Sequence, residues 1–184
     1  KSPADALYST AETLISMGWN SNQPWMQEVS VPAHMDWSLT GLDKTLPIKD
    51  WIQMGVKARS GNFQSGVESS IILPMGRKGP AFITYPNFNV LFEWNKSYVY
   101  VTTAAYFATL LSGEEKYTVG SPIPALSLDQ MKMLQEILKI LGYNMGEIDG
   151  ILGAKTRAAV RKEQIRNGLP ADSWPTRILL EKLS

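Results

Sequence analysis

Residues 126–184 constrain the fold more than any other part of the chain, because their punctuation leaves room for little besides three short helices. Ser127 followed by Gln130 is a capping box: hydroxyl and amide each satisfy a backbone N–H that a first helical turn leaves orphaned. Met131, Leu134, Ile137, Leu138 and Leu141 then recur at helical spacing, and Gly142 stands where a left-handed stop belongs. Gly153 leads into a second predicted helix carrying Ala159 and Val160, which Gly168 ends. Pro175 opens a third, with Ile178, Leu179 and Leu183 on one face.

The upstream part reads differently. Ser2, Pro3 and Asp5 mark a helix start, Leu7, Ala11, Leu14 and Ile15 form a stripe expected to be buried, and Gly18 is the stop. Val29-Ser30-Val31 suits a short strand, and residues 46–54 a two-turn helix with Trp51 and Ile52 inward. Residues 69–73 and 81–84 are β-rich runs bridged by Pro74, Gly76, Gly79 and Pro80, the pattern of a hairpin. Residues 90–94 alternate enough for a third strand. Ala104, Ala105 and Ala108 favour a helix over 98–111, ended by Ser112-Gly113. Trp19, Trp51 and Trp94 have apolar neighbours and are expected in the core, whereas Trp25 and Trp37 fall in irregular chain. The expected class is α+β: a small antiparallel-sheet-plus-helices lobe over 1–113, a linker over 114–125, and an all-α three-helix bundle over 126–184.

Composition narrows the function. With 44% hydrophobic and 19% charged residues the chain is of ordinary globular type. The net charge is +1, with nine basic against ten acidic side chains up to residue 125 and nine against seven after it. That balance excludes a broad nucleic-acid face. No cysteine is present, so neither disulfides nor thiol chemistry are available. No run of eighteen apolar residues occurs, so no membrane span is expected. His34 is the only histidine, and no calcium loop or phosphate-binding glycine motif is found, so no metal and no cofactor are expected. Lys1-Ser2-Pro3 shows neither initiator Met nor signal segment, which reads as part of a longer precursor.

Gly142-Tyr143, Ile148-Asp149-Gly150, Gly153, Thr156, Ala159-Val160, Gln164 and Gly168-Leu169-Pro170-Ala171-Asp172 resemble the type 1 peptidoglycan-binding domain, a three-helix module that docks enzymes on bacterial cell wall. A second resemblance rests on residues 2–7, Gly18-Trp19, Pro24-Trp25, Gly79-Pro80-Ala81-Phe82, Tyr85-Pro86-Asn87-Phe88 and Trp94-Asn95-Lys96-Ser97. These are similar to the back half of the B-type (family 3) lytic murein transglycosylases, which often carry the same module. The resemblance implies a lysozyme-like fold and a periplasmic parent enzyme, with outer-membrane anchoring through an upstream lipid left open. That enzyme would cleave the MurNAc–GlcNAc β-1,4 bond to form 1,6-anhydro-MurNAc. Its partners would be peptidoglycan glycan strands and the upstream catalytic portion of the same protein. A non-catalytic peptidoglycan-binding or accessory protein stays open as the alternative.

In that family one glutamic acid protonates the glycosidic oxygen, from a Glu-(Thr/Ser)-Asn-(Phe/Tyr)-Gly motif. Such an acid must be desolvated enough to stay protonated near neutral pH. No such motif occurs here; Glu68 reads as a strand-edge acid and Glu93 as the solvent side of its strand, so no catalytic residue is assigned within this chain. By resemblance Tyr85 and Asn87 line the substrate cleft, a ring for stacking and an amide that matches an acetamido group. Wall contact would centre on Asp149, Gly150, Thr156 and Arg157; alternatively Gly150 serves a turn, and Asp149 and Thr156 satisfy local amides. Glu163 stands where such modules carry an apolar residue. Burying it requires a rotated helix, a partner at Lys162 or Arg166, or looser packing.

Overall fold

The computed structural model describes residues 2–184, and Lys1 lies outside the described residues. Helix α1 (Pro3–Ser16) starts at a reciprocal box: the Asp5 N–H donates to the Ser2 hydroxyl and the Ser2 N–H to the Asp5 carboxylate. Its apolar stripe is not buried. Leu7 is 72% and Ile15 60% exposed, and no residue of the helix is in the core. Periodicity made the stripe, but among the described residues no second layer covers it.

Five short strands follow: β1 (Met26–Ser30), β2 (Leu46–Pro47), β3 (Lys57–Ala58), β4 (Glu68–Ile72) and β5 (Ala81–Thr84). They form one antiparallel sheet in the order β2-β4-β5-β1-β3. The predicted hairpin is β4 with β5, Ser70 opposite Thr84 and Ile72 opposite Phe82. Strand side chains alternate between faces, so each face packs its own core. Val29, Ile71 and Ile83 meet Trp51, Ile48 and Met35 on one side. Met26, Ile72 and Phe82 meet Phe88, Val101 and Ala105 on the other. Trp51 and Ile48 come from α2 (Ile48–Gln53), whose Ile52, expected inward, is 50% exposed.

Residues expected as a third strand instead belong to α3 (Pro86–Trp94). Tyr85 is extended and Pro86 opens the helix, its fixed φ already helical. Phe88, Leu91 and Phe92, three and four apart, then join the second core, while β1 takes the sheet position beside β5. Helix α4 (Tyr98–Leu111) spans the predicted residues, capped by Ser97. Glu93, expected on a strand, is exposed on α3 and ion-paired with Lys96; Glu68 is exposed at the start of β4.

Residues 112–127 have no helix or strand, yet they are fastened along their length. Tyr117 packs edge-on against Tyr106 (4.9 Å) and Phe82 (5.8 Å), the Thr118 N–H donates to Glu28, and the Ser121 N–H to the Lys78 carbonyl. Beyond them α5 (Leu128–Ile140), α6 (Ala154–Arg166) and α7 (Arg177–Leu183) enclose a core of Met131, Leu134, Leu138, Val160, Leu179 and Leu180. The Ser127–Gln130 box caps α5 as read from sequence. Pro175 lies outside α7, which Thr176 caps, and Ile178 is 59% exposed while Leu179 and Leu180 turn inward.

Candidate functional site

Tyr85 and Asn87 sit at the turn from β5 into α3, and both are 1% exposed. The Tyr85 hydroxyl donates to Gln27 Oε1 (2.7 Å), and burial pushes its pKa up to about 12, so it stays a protonated donor. Asn87 is fully engaged by its own chain: its amide donates to the Asn20 (2.7 Å) and Gln23 (2.6 Å) carbonyls and accepts from the Asn20 N–H (2.9 Å). It therefore clamps residues 20–23 onto α3. Asn87→Ala is expected to cost about 1–2 kcal/mol, because the freed groups are part-buried and water can reach them. Chemical denaturation measures it; no loss would mean the clamp is idle.

The exposed chemistry of this lobe lies at the corner between α3 and α4. Trp94 (44% exposed) and Tyr100 (49% exposed) pack together with ring centroids 6.1 Å apart, flanking Asn95. Asn95 accepts from the Ser97 N–H, and Ser97 in turn caps the Tyr100 N–H, so the corner is locally ordered. Trp94 was expected in the core. It projects outward because Phe88, Leu91 and Phe92 occupy the buried face of α3. The sequence signal for this site is an Asn between aromatics at a helix–helix corner, visible once α3 is read as a helix.

In the three-helix module the sequence-predicted residues serve local structure. Asp149 accepts from the Ile151 N–H (2.8 Å) and from Gln135 (3.1 Å), bonds that hold its carboxyl below the ordinary value. Gly150, at φ +78°, donates its N–H to Gln135 Oε1, and a Cβ there would meet Leu128. Thr156 is buried beside the same Gln135 amide. Because folding depresses the Asp149 pKa, its contribution is fully present above the ordinary aspartate pKa of about 4 and fades as pH falls through the lower folded value. The difference in thermal stability between wild type and Asp149→Ala should accordingly be constant above about pH 5 and shrink below about pH 4. A pH-independent difference would remove the carboxylate from the account.

Glu163, 4% exposed, is paired: its carboxylate accepts from the Tyr143 hydroxyl (2.6 Å) and from Arg166 (2.7 Å). Burial first, and then the Glu163 acceptor, raise the Tyr143 phenol. Of the readings open for Glu163, the pairing with Arg166 is the one present.

Arg157 belongs to neither a loop nor the outer face of the module. It reaches across to the sheet lobe, donating to the Leu73 (3.2 Å) and Pro74 (2.7 Å) carbonyls with its guanidinium 4.4 Å from the Tyr98 ring centroid. One turn on, Arg161 donates to the Thr40 carbonyl and pairs with Asp43. Asp172 accepts from the Arg77 N–H (3.0 Å), and Trp174 lies against Gly76, where a Cβ would come within 2.7 Å of the Trp174 Cβ. A cleft of about 380 Å³ remains between the two parts, lined in part by Asn89, Phe92, Tyr98, Arg157 and Arg161.

Residues 1–109 match the transglycosylase SLT domain family and residues 127–183 the peptidoglycan binding domain family. Among solved structures, SltB3 from Pseudomonas aeruginosa in complex with NAG-NAM-pentapeptide is 39% identical, with TM-score 0.81 over 100% of this chain and 50% of that one. SltB3 in complex with NAG-anhNAM-pentapeptide is likewise 39% identical, with TM-score 0.80 over 99% of this chain and 50% of that one. The chain thus spans about half the length of these relatives. No curated protein matches it significantly. The similarity agrees with the resemblance read from the residues. The chain belongs to the transglycosylase SLT family and carries a peptidoglycan-binding domain behind its SLT part.

Proposed function

We propose that this chain is the C-terminal portion of a periplasmic lytic transglycosylase that cleaves the MurNAc–GlcNAc β-1,4 bond of peptidoglycan and leaves 1,6-anhydro-MurNAc. Residues 1–113 act as part of the catalytic domain, 114–125 as the linker, and 126–184 as the wall-binding module. The observation that carries this reading is the 39% identity, over the whole chain, to SltB3 bound to NAG-NAM- and NAG-anhNAM-pentapeptides, a sugar pair before and after anhydro-ring closure. No helix among the described residues is long and apolar enough to cross a membrane.

The glycan-facing surface in this reading is the Trp94–Asn95–Tyr100 corner, whose exposed rings offer stacking faces and whose amide suits an acetamido group. Tyr85 and Asn87 act at the opposite end of α3, Tyr85 orienting Gln27 and Asn87 fixing residues 20–23. The proton donor lies outside this chain. Supporting that, none of the ten acidic side chains up to residue 125 is buried, while buried Glu163 and Asp172 are already bonded within the wall module or at its junction. The exposed stripe of α1, together with Val99, Phe107 and Leu111 of α4, is where the missing catalytic portion would pack.

Mass spectrometry of muropeptides from sacculi treated with this chain, or with the longest natural form of the protein, tests the reading. Anhydro products are expected from the long form alone. Their release by this chain would place the acid within it. Release by neither would favour a wall-binding protein without transglycosylase activity.

A further inference from the structure

We infer that Arg157, a residue of the wall-binding module, is a positioning residue for the glycan-facing corner of the SLT lobe. The inference rests on the assignment of the Trp94–Tyr100 corner just made. Tyr98 is the first residue of α4, 6% exposed, and lies between the half-buried Asn95 and the exposed Tyr100. The Arg157 guanidinium stacks over its ring at 4.4 Å. The edge of the same cation donates to two successive carbonyls, Leu73 and Pro74, at the exit of β4. A single planar group therefore ties the sheet to the start of α4. An ammonium can supply the charge and one of those bonds, but not the planar fork and the stacked face together.

The surroundings make this tie matter. The cleft of about 380 Å³ lies on the same side, lined by Asn89, Phe92 and Glu93 of α3 and by Tyr98 itself. Continuous side-chain packing therefore does not hold the corner there, and the cation bridges the gap. Arg157 also touches the Trp174 ring at 5.8 Å, so it is fixed from the module side as well. Its Nε is buried with no partner, a group left unsatisfied by the same placement that satisfies the other two nitrogens. Arg161, by contrast, binds Thr40 and Asp43 and has no hydrogen bond or ring contact to the corner. The two arginines thus both join the modules, and only one reaches the glycan surface.

The test is the affinity of the chain for a soluble β-1,4-linked N-acetylglucosamine tetramer, by calorimetry, with thermal stability measured in parallel. Trp94→Ala should abolish binding. Arg157→Met and Arg157→Lys should each weaken it by about tenfold, the lysine variant at nearly unchanged stability, while Arg161→Met stays within about twofold of wild type. Amide exchange should quicken over residues 95–100 in the Arg157 variants and not in Arg161→Met. Equal losses from Arg157→Met and Arg161→Met would reduce Arg157 to ordinary junction glue and overturn the inference. Unchanged affinity in both Arg157 variants would overturn it too, with the corner reading intact. Absence of wild-type binding, or binding that survives Trp94→Ala, would instead sink the corner reading and the inference with it.

Discussion

Trp51→Ala is expected to lower the unfolding free energy of the sheet lobe by about 3–5 kcal/mol, the range for emptying a buried aromatic site. Trp51 is wholly buried among Val29, Ile71 and Ile83, and its indole N–H donates to the Ser69 carbonyl at 3.1 Å. Truncation leaves a cavity under the central strands and an orphaned acceptor on β4. Against a total stability of about 5–15 kcal/mol for a protein domain, that loss decides whether the lobe stays folded at physiological temperature. Ile52→Ala is the internal control, because Ile52 is half exposed and should change stability by no more than about 0.5–1 kcal/mol. Urea denaturation reads both, and comparable losses from the two would refute the orientation of α2.

The second large effect is expected at Gln164, buried on α6. Its amide donates to Asp172 (2.9 Å) and the Trp174 carbonyl (3.0 Å), and its oxygen accepts from the Ser173 N–H (2.9 Å). These bonds hold a turn in which Ser173 has the left-handed φ of 60°, a conformation costly for a non-glycine residue. Gln164→Leu keeps the volume and strips the turn of three buried partners, so a loss of about 2–4 kcal/mol is expected. The damage should also cross the junction, since the same turn presents Asp172 to Arg77 and Trp174 to Gly76. Red-shifted tryptophan emission should accompany the lost stability. A near-neutral variant would show that the turn holds itself.

Much of the secondary structure was legible because it is written in caps and stops. Ser2 with Pro3 and Asp5, and Ser127 with Gln130, mark the starts of α1 and α5 locally, with no tertiary information needed. Short apolar runs are less decisive. Residues 90–94 fit either period, and the deciding signal was Pro86 upstream, which sets a helical φ. The stripe of α1 shows a different limit: spacing says that a helix has an apolar face, and nothing in it says whether this chain supplies the cover. The site was legible by neighbourhood and not by orientation. Residues 85–88 and 94–97 were singled out, but the inward turn of Asn87 and the outward turn of Trp94 depend on which face of α3 the sheet claims. Arg157 was expected among the wall-contacting residues, with Asp149, Gly150 and Thr156. Its contact with Tyr98 spans a separation no local pattern encodes.

Under the proposed function, the fastened segment over residues 112–127 has a consequence for how wall capture and glycan cutting would be related. A flexible tether is judged by the volume its free end sweeps, since that volume sets the effective concentration of the second binding event. Here Tyr117, Thr118 and Ser121 are each held to the lobe they leave, and two arginines hold the module they reach. The swept volume collapses to one pose. In the proposed enzyme, seizing the wall and aiming the lobe would be a single geometric event, and a longer linker would alter the aim before it extended the reach.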